Sequence, residues 1–136
     1  MSKLFINLSY HRSSKWGADQ LSAAQQLGIV IDLPFPSVEP SSSKRDITDL
    51  ANKLYSQIMD IRLSQEGIVR NPEVYVYLMG EISLVFCLGS YLLDRGYKVV
   101  CSTTERFSVE TQLPDGTTKK ENVFRFVQFR EFVKPG

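Results

Sequence analysis

An α/β fold, with a mostly parallel sheet flanked by helices and a C-terminal antiparallel β-hairpin, is the class this sequence predicts. Three observations carry it. Up to Cys101, short apolar runs rich in β-branched and aromatic residues alternate with stretches of helical period, and parallel neighbours in a sheet need such crossover connections. The stretch from Ser43 to Ile61 has a capping-box start and a sustained apolar face, which marks an amphipathic helix. After Phe107 the helical period disappears, and two β-rich segments flank the turn Pro114-Asp115-Gly116, the pattern of a hairpin.

The elements follow in order. Leu4-Phe5-Ile6-Asn7-Leu8 is a first strand, and Trp16 with Leu21, Ala24 and Leu27 makes a short helix that Gly28 caps. Ile29 to Leu33 is a second strand, stopped by Pro34-Phe35-Pro36 because proline cannot donate to a ladder. A Ser- and Pro-rich loop, 37–43, leads to the long helix, whose inner face is Ile47, Leu50, Ala51, Leu54, Ile58 and Ile61 and which Asn71-Pro72 breaks. Val74 to Met79 is a third strand and Gly80-Glu81 a turn. The run ISLVFCLGSYLL from Ile82 has almost no polar face, so this helix is expected to be buried nearly all round, on the sheet and with room for a partner subunit. Gly96 ends it, Lys98 to Cys101 is the fourth strand, and a polar loop follows from Ser102 to Arg106. In the hairpin Phe124, Phe126, Gln128, Arg130 and Phe132 share one parity and Val123, Arg125, Val127, Phe129 and Glu131 the other, so neither face is cleanly polar. The reading is one domain over 1–136, a βα core at 1–104 and a hairpin at 105–133.

Composition narrows the function classes. A length of 136 residues fits one domain. Lys plus Arg number 16 against 15 Asp plus Glu, which excludes the basic excess that drives binding to long nucleic acid, while a small anion held by local charges is allowed. The start of the chain turns polar at once, and no apolar run approaches the ~18 residues of a membrane span; the expectation is a cytoplasmic protein without membrane contact. One histidine and two separated cysteines, Cys87 and Cys101, without a CxxC pair, argue against a metal site. There is no internal repeat, no Walker sequence and no GxGxxG, so no cofactor is expected.

In an open α/β sheet, ligands sit outside the carboxyl ends of the strands, where strand order reverses. Three polar loops fall on that edge: Asn7 to Arg12, Gly80-Glu81, and Ser102 to Arg106. Gly80 before a helix lets backbone approach a phosphate, although such a turn also takes glycine for its own geometry. Glu81 in the first helical turn is favoured by the dipole whatever the function. Thr103 and Thr104 can donate to phosphate oxygens and Arg106 can neutralise one, against the plain reading that threonine favours strands and the charges are solvated. His11 is a proton donor or phosphate ligand, or a surface residue.

The stretches INLSYH, YLMGEISLVF, and STTER followed by VE, DG and VFRFVQFREF resemble the small CRISPR-associated proteins with a CARF-like Rossmann fold, the stand-alone ring nucleases of type III systems. The similarity runs in order from about Leu4 to Phe132. It implies a homodimer that binds a cyclic oligoadenylate, commonly cyclic tetra-adenylate, and linearises it without a metal by attack of a ribose 2′-hydroxyl on the adjacent phosphorus. By matching position the catalytic group would be Arg106, Thr103 and Thr104 with His11 or Glu81 handling the proton, and Asn7, Ser9, Gly80 and Ser102 would hold the ligand. Some relatives carry His where this chain has Phe126, so binding is better supported than cleavage. Two alternatives stand beside this reading: a protein that binds cyclic nucleotide without cutting it, and an interaction module joined through the apolar helix and the aromatic tail.

Overall fold

The computed structural model describes residues 3–67 and 72–136. Among the described residues nine elements follow in order: β1 (Lys3–Ser9), a 3-10 turn (Ser13–Lys15), α1 (Ala18–Leu27), β2 (Ile29–Pro34), α2 (Lys44–Gln65), β3 (Glu73–Leu78), α3 (Ile82–Asp94), β4 (Lys98–Gln112) and β5 (Thr118–Glu131). The strands form one sheet in the order β2-β1-β3-β4-β5. β1 pairs in parallel with both β2 and β3, β3 pairs in parallel with β4, and β5 runs antiparallel beside β4. The predicted α/β class is therefore the observed one.

Each face of the sheet has its own core because side chains alternate along a strand. Leu4, Ile6, Leu8, Val74, Val76, Leu78 and Val99 pack under α2 and α3 through Ala51, Leu54, Ile58, Leu84, Leu88 and Leu92. Phe5, Tyr75, Tyr77 and Val100 pack under α1 through Ala24, Trp16 and Leu27. The chain turns from β1 toward β2 and then back across β1 to β3, and this reversal puts α1 on one face and α2 on the other. The gap between β1 and β3 is thus a topological switch point.

Local chemistry explains most element ends. The Ser43 hydroxyl accepts the Asp46 N–H and the Asp46 carboxylate accepts the Ser43 N–H, the full capping box. α2 ends at Gln65, and the break expected at Asn71 lies outside the described residues. Gly96 takes a left-handed φ of 83° after α3, and Gly116 a φ of 87° in the hairpin turn, conformations that disfavour any other residue. Gly28 does cap α1 but with extended backbone; a side chain there would stand 2.6 Å from the Lys3 carbonyl oxygen, so close approach to β1 requires the glycine. Along the edge formed by the amino ends of β1, β3 and β4 and the carboxyl end of the antiparallel β5, Lys3, Glu73, Lys98 and Glu131 alternate in sign, an exposed ladder worth little individually.

Four expectations need correction. Pro34 does not stop β2 but is its last residue, tolerated because β2 is an edge strand. α3 is buried along one face only, since Ile82 and Phe86 are 80% and 75% exposed. The segment Ser102 to Arg106 is not a loop: β4 continues through it to Gln112, paired throughout with β5. Polar, β-branched residues suit a ribbon wet on both faces, so polarity alone did not end the strand. Finally, the parity of β5 is reset by a bulge. Thr103 pairs with Gln128 but Thr104 with Phe126, leaving Val127 as the extra residue. Phe126 therefore joins Phe129 on the α1 face, with ring centroids 4.9 Å apart.

Candidate functional site

The carboxyl ends of β1 and β3 open into a cleft of about 470 Å³ at the switch point. Ser9, Tyr10 and His11 form one wall, and Lys15, Trp16, Gly17 and Gln20 bring the start of α1 over it. Tyr77, Met79 and Gly80 from the end of β3 complete it. The residues facing the cleft include Lys15 and His11 but no carboxylate, while Asp19 and Asp32 line the clefts on either side. No side chain caps α1 at Gly17, which leaves the first helical N–H groups to water or to a ligand.

Its floor is aromatic. The Trp16 and Tyr77 rings meet edge to face at 5.4 Å, and Tyr77 meets Phe129 at 5.3 Å. Through Phe129 this cluster reaches Phe126 on the ribbon. The Tyr77 hydroxyl lies 2.8 Å from the Ser102 hydroxyl, and burial pushes its pKa up, so it stays protonated and can donate. A second cleft of about 520 Å³ adjoins the first through Gly17 and Gln20, and its far side is the ribbon at Thr104, Phe124 and Phe126.

A buried polar network holds the β1 loop in place. Asn7, only 2% exposed, donates from Nδ2 to the His11 carbonyl at 2.8 Å and to the Asp32 carboxylate at 2.8 Å. Its Oδ1 accepts the Ser9 hydroxyl at 2.7 Å. Asp32, register partner of Asn7 on β2, also accepts the Ser13 N–H and hydroxyl at 3.1 Å. Every side-chain polar atom of Asn7 is thereby engaged inside the protein, and the residue also lines a cleft of about 410 Å³ with Arg12 and Asp32.

The nine residues singled out from the sequence separate into groups. Ser9, His11 and Gly80 line the first cleft, Ser102 supports its Tyr77, and Thr104 lines the second. Asn7 lies beneath in the network. Thr103 points to the opposite face of the sheet, where its hydroxyl reaches the Gln128 carbonyl at 3.3 Å. Glu81 is the N-cap of α3: it accepts the Leu84 N–H at 2.9 Å, the Ser83 N–H and the Ser83 hydroxyl. The Ser83 hydroxyl and then these N–H groups hold its carboxyl below the usual range. Arg106 pairs with Phe124 on the exposed ribbon, about 13 Å along the strand from Ser102 at 3.3 Å per residue. Gly80 has a packing reason as well, since a Cβ there would stand 2.5 Å from the Phe35 ring. Sequence reasoning missed Lys15, Gln20, Tyr77 and Asp32 as parts of the site; only Asp32, a charge inside the apolar run IVIDLP, carried a signal of its own.

Among the described residues no group of three or more His, Cys, Asp or Glu is placed to hold a metal, and no helix is long and apolar enough to cross a membrane.

Fold and cleft together define a doubly wound α/β domain with an aromatic-floored cleft at its switch point. Residues 3–130 match the family described as the uncharacterized protein MJ1673 family, and the chain belongs to that family. No curated protein and no solved structure matches it.

Proposed function

We propose that this protein binds a cyclic oligoadenylate, of which cyclic tetra-adenylate is the first candidate, and linearises it as a homodimeric, metal-independent ring nuclease. The observation that carries the reading is the cleft itself, where Lys15, His11 and the uncapped start of α1 suit phosphate and the Trp16 and Tyr77 rings suit a base, while Arg125 stands with Asp19 in the adjoining cleft. The resemblance from Leu4 to Phe132 supplies the ligand class.

In this reading the ribose 2′-hydroxyl attacks the adjacent phosphorus as its proton leaves. The bond from phosphorus to the 5′-oxygen breaks, that oxygen takes a proton, and a 2′,3′-cyclic phosphate and a 5′-hydroxyl result. His11 handles the proton at the cleft, and Lys15 stabilises charge on the phosphate. Thr104 and Arg106 hold the part of the ring that extends along the ribbon. The hydroxyl role passes to Thr104 because Thr103 faces away, and Glu81 contributes through the α3 cap.

The test is incubation with cyclic tetra-adenylate in EDTA, followed by chromatography of the nucleotide. Linear fragments are expected, with His11→Ala slowing turnover by about 10²–10⁴-fold and Lys15→Ala and Arg106→Ala weakening binding. Tight binding with intact ring recovered would make the protein a sequestering one, a reading favoured by His11 being the only histidine in the chain. No affinity for any member of a panel of cyclic oligonucleotides would remove both.

A further inference from the structure

We infer that two copies of this chain join edge to edge through β5, so that two five-stranded sheets become one continuous sheet. β5 is an outer strand of the sheet, and its second edge has no neighbour in the described residues. It is 14 residues long, against the roughly 5–6 of an ordinary strand, and a two-stranded ribbon by itself is marginally stable in water. Beyond Thr104 the start of α1 approaches the ribbon. Phe124 is 66% exposed there. Long uncovered edges with apolar residues pair with another strand unless something blocks them. The bulge at Val127 blocks the base of β5, and the segment from Lys119 to Phe126 stays regular.

The charge pattern of that segment identifies the occupant. In an antiparallel pair centred on Val123, Glu121 lies opposite Arg125 of the second copy and Arg125 opposite its Glu121, while the two Val123 side chains meet on the axis. Centring on Asn122 instead would set Lys119 against Arg125, two like charges. Within one chain Glu121 pairs with the exposed Lys119, and Arg125 with the exposed Glu105 and over the Phe107 ring; the Glu121 and Arg125 side chains are 52% and 60% exposed, so both are available to the second copy. Of these two registers, the one centred on Val123 sets opposite charges against each other.

This inference deepens the two-copy part of the proposed function and is independent of the ligand; an intact ring, or no nucleotide affinity, leaves it standing. The experiment measures solution mass by light scattering on the full chain, with circular dichroism as a fold check. The mass of two chains is expected. Glu121→Arg and Arg125→Glu should each raise the dissociation constant at least tenfold by opposing like charges, and the double variant should restore the dimer. Val123→Cys, in a Cys87→Ser, Cys101→Ser background, should crosslink two chains under oxidation. A single-chain mass for the natural protein overturns the inference and leaves the nucleotide assay to judge the cleft. So does a dimer that both single charge reversals leave intact, or one that crosslinks through Phe86→Cys on α3 and not through Val123→Cys.

Discussion

Replacing Asn7 by alanine removes three hydrogen bonds from a side chain almost wholly out of water: two donated, to the His11 carbonyl and the Asp32 carboxylate, and one accepted from Ser9. His11 and Asp32 are exposed and can be rewetted, and the Ser9 hydroxyl, 7% exposed, keeps the His11 carbonyl at 3.1 Å as an acceptor. A neutral hydrogen bond contributes about 1 kcal/mol net and one to a charged group about 1.5–3 kcal/mol, part of which rewetting returns, so the variant should lose about 2 kcal/mol. With an unfolding entropy of roughly 2.1 cal/mol/K per residue, that is a fall of about 7 °C in Tm for a chain of this length. Thermal and denaturant unfolding of Asn7→Ala, Asp32→Ala and the double variant measure it. The cycle should give a coupling of about 1 kcal/mol between the two sites, and a coupling within about 0.3 kcal/mol of zero would refute the network. The alternative, that Asn7 acts by touching ligand, predicts an unchanged Tm with lost affinity.

Two further outcomes follow from the other loops. Gly80→Ala should destabilise the protein by about 1–3 kcal/mol through overpacking, because the new methyl meets the Phe35 ring and Phe35 is buried; a Tm equal to that of the natural protein would show that the ring moves aside freely. Glu81 has a folded pKa below its unfolded value near 4.5, set first by the Ser83 hydroxyl and then by the Leu84 and Ser83 N–H groups. The stability it contributes is therefore present above about pH 4.5 and lost as pH falls through the lowered folded pKa. Glu81→Gln should flatten the acid side of the stability profile in that window, and an unchanged acid limb would contradict the cap.

Much of the scaffold was legible because its signals are local. The capping box at Ser43, the apolar stripe of α2, and the Pro114-Asp115-Gly116 turn each depend on neighbours within a few residues, and the structure has all three. The alternation of strands and helices likewise points to the parallel sheet. The carboxyl-edge rule located the region of the cleft, and Ser9, His11 and Gly80 line it.

The rest depends on distance in sequence. Ser102 to Arg106 looks like a loop until β5 is known to lie beside it, and a single bulge at Val127 decides which aromatic rings of β5 share a face with α1. Lys15 and Trp16 enter the cleft only because the reversal of strand order carries α1 over the gap between β1 and β3. Asn7 passes for a ligand contact until Asp32, on the neighbouring strand, is seen to occupy its amide. Sequence by itself therefore determined the helices, the strands up to Cys101 and which edge of the sheet holds the polar ends, since backbone preference and hydrophobic period act over a few residues. Tertiary structure decided which polar groups are already satisfied and which face the cleft, because hydrogen-bond partners and burial are set by chain segments far apart in the sequence.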